Sequence, residues 1–254
     1  MLKIEFLSLT TASYGWTCIF PSTHNFGLLA DSYPSPSLKI WDLATHADQH
    51  YTIFKPGIHI PIHPFLGVVG VAHAAAGAFS TIPPYETGGN IDTKHIVAGS
   101  TLYLPVKVEG ALFSCGDGHA AQGDGEVCGT AIETPMRATV RLSVIKGEEM
   151  PWVVGPHYVT PTMIDGEAEE RERRKREKGE YAALGIDADL REASRKAVRG
   201  LVSWLVGTKG LSAEEAYMLA SVAADLKIAE SVDMPHYAVA CSLPLSVFVG
   251  APYV

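Results

Sequence analysis

"ATVRLSVI", residues 138–145, alternates cleanly along its length. Ala138, Val140, Leu142 and Val144 fall on one face, with Thr139, Arg141 and Ser143 on the other. That is the period-two pattern of a half-buried strand. Upstream, "KIEFLSL" alternates in the same way, and "TLYLPVKV" and "GALFSC" are further short strand candidates. Turn signals recur at "KPG", "IPPYETGGN" and "VEG". Short strands joined by long Gly/Pro loops predict a mainly β region over 1–162, a sandwich or barrel-like sheet rather than a parallel doubly wound one.

The composition shifts after Thr162. "EAEERERRKREK" (167–178) holds five acids and six bases, so its charges nearly cancel and it reads as a solvated helix or excursion. Residues 163–189 are therefore expected to be a charged insertion or linker. From Leu190 the spacing turns helical, with Leu190, Ala193, Ala197, Leu201 and Leu205 on one stripe. "SAEEAYMLASVAADL" starts a second helix, where Ser212 and Glu215 have the spacing of a capping box. A last strand, "YAVACSLP", follows, which makes 190–254 an α+β C-terminal part packed on the first.

The 254 residues carry a net charge of −8 and 47% hydrophobic residues, enough for a sizeable core. The acidic balance argues against a nucleic-acid partner and against attraction to an anionic membrane. No apolar run reaches the roughly 20 residues that a spanning helix needs. "MLKIEFLSLTTASYGW" shows no clear cleavage site after an apolar core and reads as a strand. Cys18, Cys115, Cys128 and Cys241 form no CxxC pair, so thiols in a reducing, cytoplasmic setting are expected, a Cys115–Cys128 disulfide being the alternative.

The chemistry concentrates in "GALFSCGDGHAAQGDGEVCGTAIE", residues 110–133. Its glycines let the chain fold back sharply, bringing Asp117, His119, Gln122, Asp124 and Glu126 together. Such residues offer oxygen and nitrogen metal ligands or acid–base groups. Upstream lie "GGNID", with Asn90 and Asp92, and "HIPIHP", with His59 and His63. A plain surface turn or a structural calcium site would also account for an acidic Gly-rich loop, although the acid spacing is not that of an EF-hand. Cys115 could serve as a nucleophile or be a small packed thiol. No GxSxG elbow, HExxH helix, P-loop or dinucleotide fingerprint is present.

The succession "HPFLGVVGVA", "GGNIDTKHIVAGSTLYLPVKVEGALFSCGDGHAAQGDGEVCGTAIE", "EEAYMLASVAADLKIAESVD" and "SLPLSVF" resembles the acetamidase/formamidase family, in order from about Gly15 to Phe248. The resemblance implies hydrolysis of a short aliphatic amide, a mainly β architecture with an α+β C-terminal part, a homo-oligomer, and a divalent metal, zinc, with calcium left as the alternative that the acidic loop itself offers. Its motif lands on His63, Asn90, Asp92, Asp117, His119, Gln122, Asp124, Glu126 and Glu133. Within it, chemistry favours Asp92, Asp117 and His119 as ligands, and Glu133, at the end of an apolar "VCGTAI" strand, as the proton carrier. Gln122, Asn90 and His63 are left to hold the substrate. Family members carry a further β-rich stretch before the region matching Gly15. Its shortness here raises one rival, a non-catalytic β-domain binding a small molecule or calcium; a second, independent of it, is a thiol amidase using Cys115 without metal.

Overall fold

The computed structural model describes residues 1–24, 26–56, 58–161 and 179–248. The charged run 167–178 lies outside them. The N-terminal strands are β1 (Leu2–Thr11), β2 (Tyr14–Ile19), β3 (Ser37–Asp42), β4 (Tyr51–Lys55) and β5 (Ile58–Pro61). Next come β6 (Phe65–Gly70), β7 (Pro84–Tyr85), β8 (Gly88–Asn90), β9 (Thr101–Leu104), β10 (Ser114–His119), β11 (Met136–Val144) and β12 (His157–Val159). After β13 (Glu180–Asp187) come helices α1 (Leu190–Lys209) and α2 (Ala213–Ala223), then β14 (Asp225–Glu230) and β15 (Tyr237–Pro244).

A seven-stranded antiparallel sheet runs β11-β1-β9-β12-β13-β15-β14, and a four-stranded one runs β10-β6-β8-β7. β2 pairs with β3 and β4 with β5 as separate hairpins. The two sheets share a core of Ile4 and Phe6 from β1, Leu66 and Val69 from β6, Leu102 and Leu104 from β9, and Leu184 from β13. The other face of the large sheet is covered by the helices, where Tyr181, Ala183, Val239 and Cys241 meet Ala193, Ala197, Leu201 and Trp204. Strand β13 therefore buries both faces, and Gly185 shows how close the α1 layer comes. A Cβ there would lie 1.9 Å from the Ala193 carbonyl oxygen.

The expected mainly β architecture with an α+β C-terminal part is the one observed. The alternation at 138–145 is that of β11, but β11 lies at the sheet edge, so Leu142 and Val144 stay exposed. The helical stripe buries Ala193, Ala197, Leu201 and Leu205, while Leu190 in the first turn is exposed. The Ser212–Glu215 capping box forms as read, and α2 stops at Ala223 so that "DLKIAE" can join the sheet. Three readings shift. "TLYLPVKV" is a strand only to Leu104, ahead of Pro105, which has no N–H for a ladder. "GALFSC" begins its strand at Ser114, because Ala111 and Leu112 adopt left-handed φ of 56° and 53°. The stretch read as linker, 163–189, contains β13, a strand interior to the large sheet. Among the described residues, no helix is long and apolar enough to cross a membrane.

His157 of β12 lies between the large sheet and α1, buried and hydrogen-bonded through Nδ1 to the Tyr181 hydroxyl. Burial pushes its pKa down to about 3, well under the ordinary 6.5. Between those values the unfolded chain binds the proton that the folded chain refuses. Stability therefore falls as pH drops below 6.5, by up to about 1.4 kcal/mol per pH unit, and the loss ends near pH 3. Denaturant titrations from pH 7 to 4 check this. A His157→Gln variant is expected to show a shallower acid loss than the wild type.

Candidate functional site

His119 ends β10, 1% exposed, with Phe65 edge-on to its ring at 5.0 Å between centroids. Around it the backbone forms a short ladder: Ala120 N–H donates to the Ile132 carbonyl at 2.8 Å, and Thr134 N–H to the Gly118 carbonyl at 2.7 Å. This ladder carries Glu133 to the side of His119. Glu133 is not at the end of a "VCGTAI" strand. Residues 127–132 are turns and loop, and the Glu133 backbone bridges to Trp16 and to His119.

The ring's two nitrogens have different surroundings. Gln122 Nε2 donates to the Asp92 main-chain carbonyl at 2.8 Å, which turns Gln122 Oε1 toward His119 Nδ1, also at 2.8 Å. Nδ1 must then carry the hydrogen, because an amide oxygen only accepts. Nε2 faces two carboxylates, Glu133 Oε2 at 3.1 Å and Asp117 Oδ1 at 3.2 Å, and Asp92 Oδ1 lies 3.7 Å from Nδ1. Glu133 Oε1 accepts the Ala131 N–H at 2.8 Å. Gln122, expected to touch substrate, lines the adjoining cavity and has both ends of its amide on protein groups.

Electrostatics follow from this packing. Burial works against charge on the His119 ring, yet Asp117 and Glu133 outweigh it and hold its pKa well above the usual imidazole value. Burial would also raise Asp117, but its contact with His119 wins and holds the carboxyl low. Asp92 is 1% exposed; burial drives its pKa well up, with the Glu126 charge adding. Burial likewise pushes Glu126 to about 8, against His119 and with help from Asp233. Asp124, placed with the others by the sequence, turns away to Lys94 at 3.1 Å and His95 at 3.4 Å.

The backbone is held out of its ordinary range to aim these acids. Asp92, Asp117 and Glu126 have φ of 39°, 59° and 46°, three of the six non-glycine residues with positive φ among those described. Such conformations cost on the order of 1–3 kcal/mol each and persist where the surroundings impose them. Gly67 of β6 supplies the space. A Cβ there would lie 2.4 Å from both Asp117 Oδ2 and Asp92 Oδ1.

Among the described residues, three overlapping groups have ligand atoms within 4.8 Å of one another: Asp92, Asp117 and His119; His119, Glu126 and Glu133; and Asp92, Glu126 and Asp233. Asp233 is the member that the sequence reading missed. It sits in the β14–β15 turn, where Asn90 Nδ2 donates to its Oδ2 at 2.7 Å. Asn90 Nδ2 also donates to the Ile82 carbonyl at 3.0 Å, leaving only Oδ1 for anything else. His63 is not in the cluster but on the wall of an adjoining cavity of about 910 Å³, together with Trp41, Ile60, Lys94, Gln122 and Glu126. Asp117 keeps one third of its side chain exposed, 33%, so the cluster also reaches solvent. Cys115 belongs to none of the three groups, burial pushes its thiol up, and all four cysteines are free.

Residues 1–76 and 71–249 match the model of the acetamidase/formamidase family, so the likeness starts at the first residue rather than near Gly15. A formamidase from Methylophilus methylotrophus is 33% identical over 98% of this chain and 73% of its own length. An acetamidase from Mycolicibacterium smegmatis is 29% identical over 81% of this chain, and the match spans 62% of that protein. The crystal structure of an acetamidase from Bacillus halodurans superposes with a TM-score of 0.81 at 30% identity, over 97% of this chain and 74% of that one.

Proposed function

The chain belongs to the acetamidase/formamidase family, amidohydrolases of the linear-amide type, and from that premise we propose that its His119 cluster performs metal-assisted hydrolysis of formamide or acetamide to the carboxylic acid and ammonia. The observation that carries this reading is the environment of His119 Nε2, where the Asp117 carboxylate at 3.2 Å stands at ligand spacing and the Glu133 carboxylate at 3.1 Å is within reach to carry a proton. Two ligand atoms on one tetrahedral zinc sit about 3.3 Å apart, given bonds of about 2.0 Å. The donor set of imidazole and carboxylates suits zinc, and both side-chain oxygens of Asp92 are buried without a hydrogen-bond partner.

His119, Asp117 and Asp92 would hold the ion. When bound, it supplies a polarised carbonyl and a water acidified to about pKa 7. The chain's own residues do the rest. Gln122 fixes the His119 tautomer so that Nε2 presents its lone pair. Glu133, its Oε1 pinned by the Ala131 N–H, takes the proton from the attacking water and gives it to the departing nitrogen, which leaves as ammonia. The cavity lined by His63 and Trp41 admits the amide, and Asn90 Oδ1, buried without a hydrogen-bond partner, is the acceptor left for a substrate that reaches past the cavity wall. The same reading has a homo-oligomer working in the cytoplasm, and the exposed Leu142 and Val144 on edge strand β11 give assembly an apolar border.

Inhibition separates this route from a thiol route. A chelator is expected to suppress ammonia release and added zinc to restore it. Thiol alkylation, and Cys115→Ser, should leave most of the activity. Activity that survives chelation and is lost on Cys115→Ser would move the reaction to the thiol.

A further inference from the structure

Hydrolysis of formamide leaves most of the cavity beside the His119 cluster unused. That space measures about 910 Å³. Formamide has three non-hydrogen atoms and, at about 30 Å³ for a water-sized group, fills roughly a tenth of it. Cavities of about 300–1,000 Å³ hold ligands of many more atoms. An amide as small as formamide or acetamide has no remote part for such walls to grip.

The walls fix the chemistry of that remote part. Trp41, Ile60, Val97, Ala121 and Ile132 line the space. All but Val97 pack in one apolar cluster. Trp41 Nε1 donates to Thr17 Oγ1 at 2.9 Å, so the indole has no donor left for a ligand. The lysines of the wall are already paired, Lys94 with Asp124 at 3.1 Å and Lys227 with Glu180 at 2.9 Å. A charged tail would have to displace one of these ion pairs, whereas an apolar tail gains contact and releases water.

One stretch of backbone carries both the apolar wall and the reacting groups. Ala120 N–H donates to the Ile132 carbonyl at 2.8 Å, and Ile132 N–H to the Ala121 carbonyl at 2.9 Å. Ile132 therefore stands on the wall while Glu133, the next residue, stands beside His119. Gln122 likewise lines the cavity and holds His119 Nδ1 at 2.8 Å.

We propose that this cavity is an acyl pocket and that the preferred substrate is a primary amide with an extended apolar acyl chain, its length set by Ile60, Ala121 and Ile132. The inference rests on the amide reading of the His119 cluster. The reaction is unchanged in kind: water adds to the carbonyl carbon, the carbon–nitrogen bond breaks, and R–CO–NH2 becomes R–COOH and ammonia.

Ammonia release from acetamide, butyramide and hexanamide by the zinc-loaded chain tests it. From acetamide to hexanamide, kcat/KM is expected to rise about fourfold per added methylene. Ile60→Trp should fill the pocket and cut the hexanamide-to-acetamide ratio of kcat/KM by about tenfold or more. Ala121→Leu serves as a second variant if thermal melting shows that Ile60→Trp folds poorly. A wild type that turns over acetamide with kcat/KM flat or falling toward hexanamide overturns the proposal, as does a ratio that neither variant moves. If no amide yields ammonia, the amide reading falls and calorimetry decides the cavity. Hexanamide binding tighter than acetamide, and weakened by Ile60→Trp, would keep the apolar pocket; equal binding would overturn it.

Discussion

His119→Ala is expected to abolish ammonia release and to remove zinc in the same step. In the proposed site the imidazole is the ligand that stands between Asp117 and Glu133, in contact with both. Without it the acids face one another, and protonation rather than metal relieves them. The loss should therefore exceed the roughly 10²–10⁴-fold assigned to a single acid–base group. Ammonia release, metal analysis and a thermal melt on the same preparation report it. Retained zinc with lost activity would make His119 a proton carrier instead of a ligand.

Glu133→Gln should behave differently. The amide keeps an oxygen for the Ala131 N–H and nearly the same shape, so zinc should stay. What disappears is the proton acceptor, and turnover should fall by about 10²–10⁴-fold with little change in metal content. If zinc falls in parallel with turnover, Glu133 is a ligand, and its 3.1 Å spacing from Nε2 is then a coordination distance between neighbours.

What could be read from the sequence was what depends on near neighbours along the chain. The Ser212–Glu215 cap is made within one helical turn and forms as read. The α1 stripe and the β11 alternation are likewise local. The six-residue strand β10 was hidden because "SCGDGH" is half glycine and acid, which reads as loop. It is a strand because it pairs with β6, where Gly67 makes room for the carboxylates, and that pairing partner lies some 50 positions away in the sequence. The placement of Glu133 beside His119 depends on a backbone ladder that no spacing rule reveals. Asp233 had no local signal at all. It reaches Asp92 and Glu126 because the β14–β15 turn closes over β8. Gln122 could be picked out as a polar residue near the histidine, but the use of both ends of its amide inside the protein is a fact of three dimensions.

The central claim is that this chain itself breaks the amide bond. Its most direct test is the product balance from formamide incubated with the purified, zinc-loaded protein, with formate followed by NMR and ammonia by enzymatic assay. Formate and ammonia should appear in equal amounts, cease with a chelator and resume with zinc. A folded, zinc-loaded chain that yields neither product from formamide or acetamide would contradict the account.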